Sequence, residues 1–217
     1  MSLTAAGLSF AYPGGQLLID GLDLAVPEGS SAAIMAPSGI GKSTLLAVLG
    51  GLRHPSTGFV RIAADDINQG VMRPSNRPAV AWVFQSMHLL LGRSALDNVA
   101  LAGMPRGIVR AEAERLARIE LSRFGVDALA DRAVRSLSGG QRQRVALARA
   151  AVADPLAVLA DEPTANLDRT NALAVADVLV NQFSRASVVV ATHDTGVARL
   201  ASVTYVLRDG QLHTVEP

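Results

Sequence analysis

The stretch Ile34–Thr44, which reads IMAPSGIGKST, carries the clearest structural signal in this sequence. A short apolar run, Ser31–Met35, leads into it, and Lys42–Leu52 follows with the composition of a helix that ends at two glycines. Strand, glycine-rich loop and helix in this order are the context of a phosphate-binding loop, in which the helix N-terminus faces the anion. The stretch therefore predicts an α/β domain with a phosphate site where a strand ends.

The loop departs from the general pattern at one position. That pattern is glycine, four residues, then Gly-Lys-Ser/Thr, and Ala36 stands where its leading glycine belongs. Alanine costs little there if its φ is negative, and about 1 kcal/mol if the backbone is left-handed. A glycine-rich turn before a buried helix is the alternative interpretation. The residues expected to surround the phosphates are Ala36, Pro37, Ser38, Gly39, Ile40, Gly41, Lys42, Ser43 and Thr44.

Each polar group of the loop has an expected role. Gly39 and Gly41 can direct successive N–H groups inward as an anion nest. Lys42 would bridge the β- and γ-phosphates, and Ser43 would bind Mg²⁺. Lys42 is also the single lysine of the chain, since every other basic side chain apart from histidine is an arginine. A compact ammonium group fits between phosphate oxygens where a planar guanidinium is too wide, which indicates a chemical reason for this lysine.

Composition excludes several classes of protein. A chain of 217 residues is long enough for one sizeable domain with a core. The absence of cysteine excludes disulfides and thiolate metal sites. A formal net charge of +1 is too balanced for a nucleic-acid partner, so none is expected. Neither a transmembrane run nor a signal peptide is visible, which favours a cytosolic location.

Apolar runs alternate with helical patterns along most of the chain. The predicted buried strands are Val80–Phe84, Leu156–Ala160 and Ser187–Ala191, and the predicted helices include Val109–Phe124, Ser138–Ala153 and Arg169–Phe183. This alternation predicts a mostly parallel sheet that is covered on both faces. The end of the chain reads as a hairpin with an Asp-Gly turn.

Three other regions complete the predicted organisation. The first thirty-five residues alternate apolar and polar side chains between glycine turns, which indicates a small antiparallel sheet beside the main one. Residues 86–153 lack buried strands and are expected to form a helical insertion, in which Ser86–Gly107 has only weak periodicity. Asp65–Pro78 is polar with two prolines and is predicted to be a loop.

Two adjacent carboxylates end the predicted strand Leu156–Ala160. The chain turns after a strand, so both Asp161 and Glu162 can face the phosphate loop. Asp161 would then be a partner of Mg²⁺, and Glu162 would polarise an attacking water molecule as general base. A solvated turn is the alternative when such a pair stands alone.

The sequence LSGGQ, residues 137–141, opens a helix. Ser138 and Gln141 have the spacing of a capping box, which is a purely structural explanation. Two glycines in a first helical turn are nevertheless costly, and they leave backbone N–H groups accessible at a positive helix end. This is a second candidate anion site, and one nucleotide needs both sites only if two chains share it.

These segments together resemble the ATP-binding subunits of ABC transporters. LSGGQ matches the signature of that family, and the phosphate loop, Gln85 and the Asp161-Glu162 pair occur in the order of the family. The further matching residues are Tyr12 at the adenine-stacking position, Ala165-Asn166-Leu167-Asp168 as the D-loop and His193 as the switch histidine. The similarity covers essentially the whole chain.

The resemblance implies a fold and a mechanism. The expected fold is a P-loop NTPase with a RecA-like core of about 1–85 and 154–217, a small antiparallel β subdomain and a helical subdomain of about 86–153, all within one domain, 1–217. Two subunits would bind ATP head to tail, each ATP between the loop of one copy and Ser138, Gly139, Gly140 and Gln141 of the other. Glu162 would activate water, His193 would hold the γ-phosphate, Gln85 would sense Mg²⁺, and Asp168 would bridge the two copies. The resemblance further implies a separate transmembrane permease and a peripheral position on the cytoplasmic face of the inner membrane.

The sequence indicates the transported cargo and the direction of transport less clearly than it indicates the ATPase activity. The segment WVFQSMHLLLGRSALDNVAL, residues 82–101, is similar to the branch that releases lipoproteins or exports macrolides and peptides. Leu91-Gly92 replaces the proline usual in that branch, and importers of amino acids or other small solutes share much of the pattern. A DNA-repair or chromosome-organising ATPase would carry a long coiled coil, and a translation factor would carry two such domains. A regulator that binds ATP without hydrolysing it is supported by Ala36 alone.

Overall fold

The computed structural model describes residues 2–37, 39–63, 65–67 and 77–215, and its strands form two sheets. The strands are β1 (Ser2–Ala11), β2 (Leu17–Pro27), β3 (Ser31–Met35), β4 (Thr57–Ile62), β5 (Asp65–Asp66), β6 (Val80–Phe84), β7 (Ala157–Asp161), β8 (Ser187–Thr192), β9 (Val203–Arg208) and β10 (Gln211–Val215). The helices are α1 (Lys42–Leu49), α2 (Ala95–Ala100), α3 (Arg110–Arg123), α4 (Gly139–Val152), α5 (Arg169–Asn181) and α6 (Thr195–Ala198). Short 3₁₀ helices occupy Leu101–Arg106, Asp127–Leu129 and Val134–Ser136.

The main sheet has the strand order β10-β9-β3-β8-β7-β6. Its strands run parallel except for β10, which pairs antiparallel with β9. Asp209 and Gly210 both have positive φ in the turn between these two strands, as the Asp-Gly hairpin pattern requires. The predicted parallel α/β sheet is confirmed.

The second sheet is antiparallel, with the order β2-β1-β4-β5, and confirms the small sheet predicted at the start of the chain. The prediction of a loop from Asp65 to Pro78 is wrong at its first two residues. Asp65 and Asp66 pair with Ile62 and Arg61 and extend this sheet, because a short edge strand needs no apolar pattern. Residues 68–76 of the predicted loop lie outside the described part of the chain.

Two hydrophobic cores lie on opposite faces of the main sheet. Along β7, Val158 and Ala160 belong to one core, and Ala157 and Leu159 belong to the other. This division follows from the alternation of side chains along a strand. The first core packs helices α2 to α5 on the sheet, and the second packs α1 and the antiparallel sheet. Because the second core holds α1 against β3, it fixes the loop between them.

Helices α2, α3 and α4 lie between β6 and β7, which are neighbours in the main sheet. The sequence did not predict α2, although Ser94 and Asp97 carry its start signal. The Ser94 hydroxyl accepts a hydrogen bond from the Asp97 amide at 3.0 Å and donates one to Oδ2 of Asp97 at 2.9 Å. Within the described ranges, no helix combines the length and the apolar character needed to cross a bilayer.

Candidate active site

The candidate site lies at the carboxyl ends of β3, β7 and β8. Met35 is in register with Thr192, and Ala191 with Asp161, so the segments that leave these strands begin beside one another. Ligands of open α/β sheets bind at this edge. The register therefore brings together the phosphate loop, the Asp161-Glu162 pair and His193.

The phosphate loop has the backbone that its glycines allow. Gly39 and Gly41 have φ of 86° and 104°, both in the left-handed region. Gly41 is the N-cap of α1, and as a glycine it has no side chain to accept a hydrogen bond from the amides there. Ala36 is not among the non-glycine residues of positive φ in the described chain, so its position does not demand glycine. Ser38 lies outside the described residues.

Lys42, the first residue of α1, lies beneath this loop and is 7% exposed. Its ammonium group donates hydrogen bonds to the carbonyl oxygens of Ala36, at 2.6 Å, and Pro37, at 3.3 Å. The same nitrogen lies 3.3 Å from Oε1 of Glu162. The single lysine of the chain therefore connects the start of the loop to the predicted general base.

Glu162 has a left-handed backbone, with φ of 45°, which is uncommon for a residue that carries a side chain. Its amide donates to the carbonyl of Ala191 at 2.9 Å, which holds the turn against β8. Both carboxylate oxygens lie 3.0 Å from Nδ1 of His193. Because an ionised carboxylate only accepts hydrogen bonds, Nδ1 carries the proton. Strained backbone at this point is typical of functional residues.

Asp161 ends β7 one residue before this turn. Its Oδ1 atom is buried and has no hydrogen-bond partner among the described residues. A buried carboxylate oxygen without a partner carries a desolvation cost, which a cation at the site would offset. Within the described chain, no group of three or more His, Cys, Asp or Glu side chains forms a metal site.

The loop borders a cleft of about 650 Å³. The residues that line it are Tyr12, Gly15, Gln16, Leu18, Gly39, Gly41, Lys42, Ser43, Thr44 and Glu162. Of these, Gly15, Gln16 and Leu18 were not predicted, since nothing in the turn after β1 marks them as ligand contacts. The cleft is large enough for a nucleotide-sized ligand.

Tyr12 lies at the rim of the cleft and is 42% exposed. Its hydroxyl is 3.1 Å from Oγ1 of Thr44, which ties it to the first turn of α1. The edge-to-face contact with Phe10 has a centroid distance of 5.1 Å, and the guanidinium of Arg53 lies 4.8 Å from the Tyr12 centroid. The ring is thus held in place by aromatic and cation–π contacts.

The predicted signature residues lie outside the cleft. Ser138 and Gln141 form the predicted capping box at the start of α4, with hydrogen bonds of 3.3 and 2.9 Å. A Cβ on Gly139 would lie 3.3 Å from Cδ2 of Leu167, and one on Gly140 would lie 3.3 Å from Oδ1 of Asn171. Gly139 therefore allows α4 to approach the D-loop closely, and Gly140 allows it to approach the first turn of α5.

Asp168 caps the start of α5 in this D-loop. Its carboxylate accepts hydrogen bonds from the Asn171 amide at 3.1 Å and from the Asn171 side chain at 2.6 Å. These hydrogen bonds hold the pKa of Asp168 below its ordinary value. The side chain of Gln85 reaches the same region, with its Nε2 3.5 Å from Oδ1 of Asn166. Gln85, the D-loop and the signature thus form a second group beside the cleft.

Sequence reasoning missed Asn171, which orients Asp168, and Arg149 of α4. Arg149 donates to the carbonyl oxygens of Met87 and His88, just after Gln85. The signal that the sequence offered was an arginine in the last turn of a helix whose neighbouring residues are apolar. That signal is weak, because arginine is also favoured at helix C-termini for electrostatic reasons.

Comparisons with known proteins identify the family. The family described as ABC transporter matches residues 19–165. The lipoprotein-releasing system ATP-binding protein LolD of Chromohalobacter salexigens is 43% identical over 205 residues, which are 90% of this chain and 86% of that protein.

Two solved structures share the fold. That of cbiO1 from Clostridium perfringens, part of the ABC transporter complex cbiONQ, has a TM-score of 0.86 at 26% identity and covers 97% of this chain and 86% of that one. The dimeric post-hydrolysis structure of the ATP-binding cassette MJ0796, bound to ADP and Pi, has a TM-score of 0.81 at 31% identity and covers 99% and 98% of the two chains. The predicted resemblance and P-loop NTPase fold are confirmed. The chain belongs to the ABC transporter family, and it is an ATP-binding subunit that hydrolyses ATP.

Proposed function

We propose that two copies of this chain bind two ATP molecules head to tail and drive a separate permease that releases lipoproteins from the membrane. The observation that carries the dimer is the separation of the two anion sites. The cleft holds Lys42 and Glu162, whereas Ser138 and Gly139 open a helix outside it. A second copy can supply the missing wall of each cleft. The dimeric MJ0796 cassette is consistent with this arrangement.

The catalytic roles follow from the contacts within one copy. Lys42 binds the β- and γ-phosphates, after exchanging its contact with Glu162 for the phosphate oxygens. Glu162 takes a proton from the attacking water, and His193 orients that carboxylate through Nδ1 and holds the γ-phosphate. Tyr12 stacks on adenine, and Asp168 meets the partner copy. Catalysis is then positioning plus electrostatic stabilisation of phosphoryl transfer to water.

The donors present fit Mg²⁺. The buried, unpartnered Oδ1 of Asp161 is one oxygen ligand, and the exposed Ser43 hydroxyl and Gln85 amide oxygen are others. Protein sites for this ion commonly use one or two carboxylates, with substrate phosphates and water as further ligands, so no larger acidic cluster is required. The ion would neutralise charge on the phosphate oxygens.

Exposed apolar side chains support a membrane partner. Leu90, Leu91, Met104 and Val109 are each more than half exposed, and a groove of about 350 Å³ lies between α2 and the start of α3. Such apolar surface is typical of sites that bind another protein. We infer that these residues, within a helical subdomain of about 86–153 inserted in a core of about 1–85 and 154–217, contact the permease. The subunit would then lie peripherally on the cytoplasmic face of the inner membrane.

The cargo is inferred from the similarity to LolD, a protein of a lipoprotein-releasing system. The test is reconstitution of this chain and its permease into vesicles that contain a fluorescently labelled, lipid-anchored lipoprotein. ATP should move the lipoprotein into the soluble fraction, and the Glu162→Gln variant should not. ATP-dependent uptake of an amino acid without lipoprotein release would instead support the importer alternative.

A further inference from the structure

The turn that follows Gln85 is strained. Met87 and His88 both have positive φ, 43° and 45°, although neither is glycine. Left-handed backbone costs a residue with a side chain roughly 1–2 kcal/mol, so two such residues in succession persist only when their surroundings fix them. The Met87 amide donates to the Phe84 carbonyl at 3.1 Å, which tightens the turn at the end of β6.

One side chain fixes both strained residues. Nη1 of Arg149 donates to the carbonyl of His88 at 2.7 Å, and Nη2 donates to the carbonyl of Met87 at 2.8 Å. The planar guanidinium thus spans two successive carbonyl groups, which the single ammonium of lysine cannot do. In the described part of the chain, no carboxylate forms an ion pair with Arg149, and partial burial lowers the pKa of its guanidinium.

The position of Arg149 on α4 connects the strained turn to the signature. Helix α4 starts at the signature, with Ser138 as its cap, and Arg149 lies in its last turn. An α-helix rises about 1.5 Å per residue, so roughly 15 Å of rigid helix joins the signature to the strained turn. The Gln85 side chain, at the start of that turn, lies 3.5 Å from Asn166 of the D-loop.

We propose that Arg149 is a positioning residue for Gln85, which it holds by bracing the left-handed turn at Met87 and His88 against the signature helix. Movement of α4 is thereby transmitted to Gln85, and the site senses whether the signature has engaged. The inference rests on the proposed role of Gln85 at the site. It adds a residue that does not line the cleft and acts through backbone carbonyls.

The test compares Arg149→Lys with Arg144→Lys, a matched change on the same helix, in the permease-bound complex. In metal sites, loss of the contacts that orient a metal-ligating residue lowers metal affinity or activity about 10- to 100-fold, and Gln85 is a proposed Mg²⁺ ligand. We expect Arg149→Lys to lower kcat about tenfold with little change in KM for ATP, since the phosphate loop is untouched. Arg144→Lys should leave both constants unchanged.

A double-mutant cycle with Gln85→Ala tests whether Arg149 acts through Gln85. The double variant should be no slower than the slower single variant. The role of Arg149 would be overturned if the two single-variant reductions in kcat multiplied in the double variant. It would also be overturned if Arg149→Lys had normal kcat while Gln85→Ala was slow. Either result would leave the role of Gln85 intact. If Gln85→Ala has normal turnover, the proposed role of Gln85 is itself wrong. The catalytic effect proposed for Arg149 is then wrong as well, since Arg149 would act through Gln85.

Hydrogen exchange separates the structural step from the catalytic one. The backbone amides of residues 86–90 should exchange faster in Arg149→Lys than in the wild type, whatever the role of Gln85. Unchanged exchange would show that Arg149 does not hold the turn. Arg149→Gln, which removes the buried charge, serves as the second variant if Arg149→Lys does not fold.

Discussion

The ammonium group of Lys42 lies 3.3 Å from Oε1 of Glu162, while Nδ1 of His193 contacts the same carboxylate at 3.0 Å. The phosphate loop and the proposed general base are therefore joined directly. In the mechanism proposed above, phosphate oxygens that enter the cleft would replace the carboxylate as the partner of Lys42. Glu162 would then be free to contact the attacking water molecule, so nucleotide binding would itself prepare the general base.

Glu162→Gln should stop hydrolysis but preserve ATP binding. Glutamine keeps the shape of the side chain and loses the ability to accept a proton, so turnover should fall about a hundredfold or more. ATP should then trap a dimer. Size-exclusion chromatography of the permease-bound form or of the isolated chain detects it. The exposed Glu112→Gln serves as the control. A variant that remains fully active would contradict the role of Glu162 as base.

Lys42→Arg should weaken ATP binding even though it preserves the charge. The wider guanidinium does not fit the space in which Nζ contacts the carbonyls of Ala36 and Pro37. We expect the Kd for ATP to rise about tenfold or more, which corresponds to about 1.4 kcal/mol. Titration with a fluorescent ATP analogue measures it. Wild-type affinity in this variant would show that lysine is not chemically required.

The two ends of the loop should respond differently to small changes. Gly41→Ala places a Cβ 2.9 Å from Leu18 at a φ of 104°, so we expect loss of ATP affinity by about tenfold. Ala36→Gly should change affinity or turnover by a few-fold at most, because the φ of Ala36 is not positive. ATP titration measures the affinity of both variants, and thermal unfolding shows whether each variant is folded. A wild-type chain that binds no ATP until glycine replaces Ala36 would refute this account of the loop.

Asp168→Ala should impair both stability and the dimer. Loss of an N-cap costs about 1 kcal/mol, and Ser94→Ala, which removes the cap of α2, provides a matched loss at a residue that does not line the cleft. Thermal unfolding should shift similarly in both variants, whereas ATP turnover should fall only in Asp168→Ala. Equal turnover in the two variants would limit Asp168 to a structural role.

Asn171→Ala should raise the pKa of Asp168 toward its ordinary value, since the hydrogen bonds from Asn171 are the largest cause of its lowering. In the wild type, the folded pKa is depressed, so the stabilisation from Asp168 is present above the unfolded pKa and lost as pH falls through the folded one. In the variant that loss should still begin near the unfolded pKa, but it should be smaller and should be complete at a higher pH. Carboxyl ¹³C titration by NMR measures the shift, and an unchanged Asp168 pKa would contradict it.

The parallel sheet and the position of the site could be predicted from the sequence. The bounds predicted for β6, Val80–Phe84, match the structure, because a fully buried strand is a continuous apolar run between turns. The six residues of α2 are too few for a helical period, so its capping pair was the sole signal. The Asp65–Asp66 strand was missed for a similar reason, since two edge residues carry no alternation.

The contacts around Gln85 could not be predicted in the same way. Arg149 and His88 are 61 residues apart, and their hydrogen bond depends on the packing of α4 against the end of β6. The strained φ angles of Met87, His88 and Glu162 likewise have no local sequence signal, since such residues are held by tertiary contacts. Sequence motifs indicate which residues carry the chemistry, whereas tertiary packing determines which residues hold them in place.

Because Lys42 is the single lysine of the chain, a lysine-specific protease can be used to probe the phosphate loop. A lysine-specific protease has one cleavage site in the whole chain, the peptide bond between Lys42 and Ser43. That bond lies at the start of α1, and the lysine side chain is buried under the loop carbonyls. Cleavage into two fragments therefore reports exposure of this one bond, through local opening of the loop or through global unfolding. Its rate can be followed as nucleotide is added, without any engineered label.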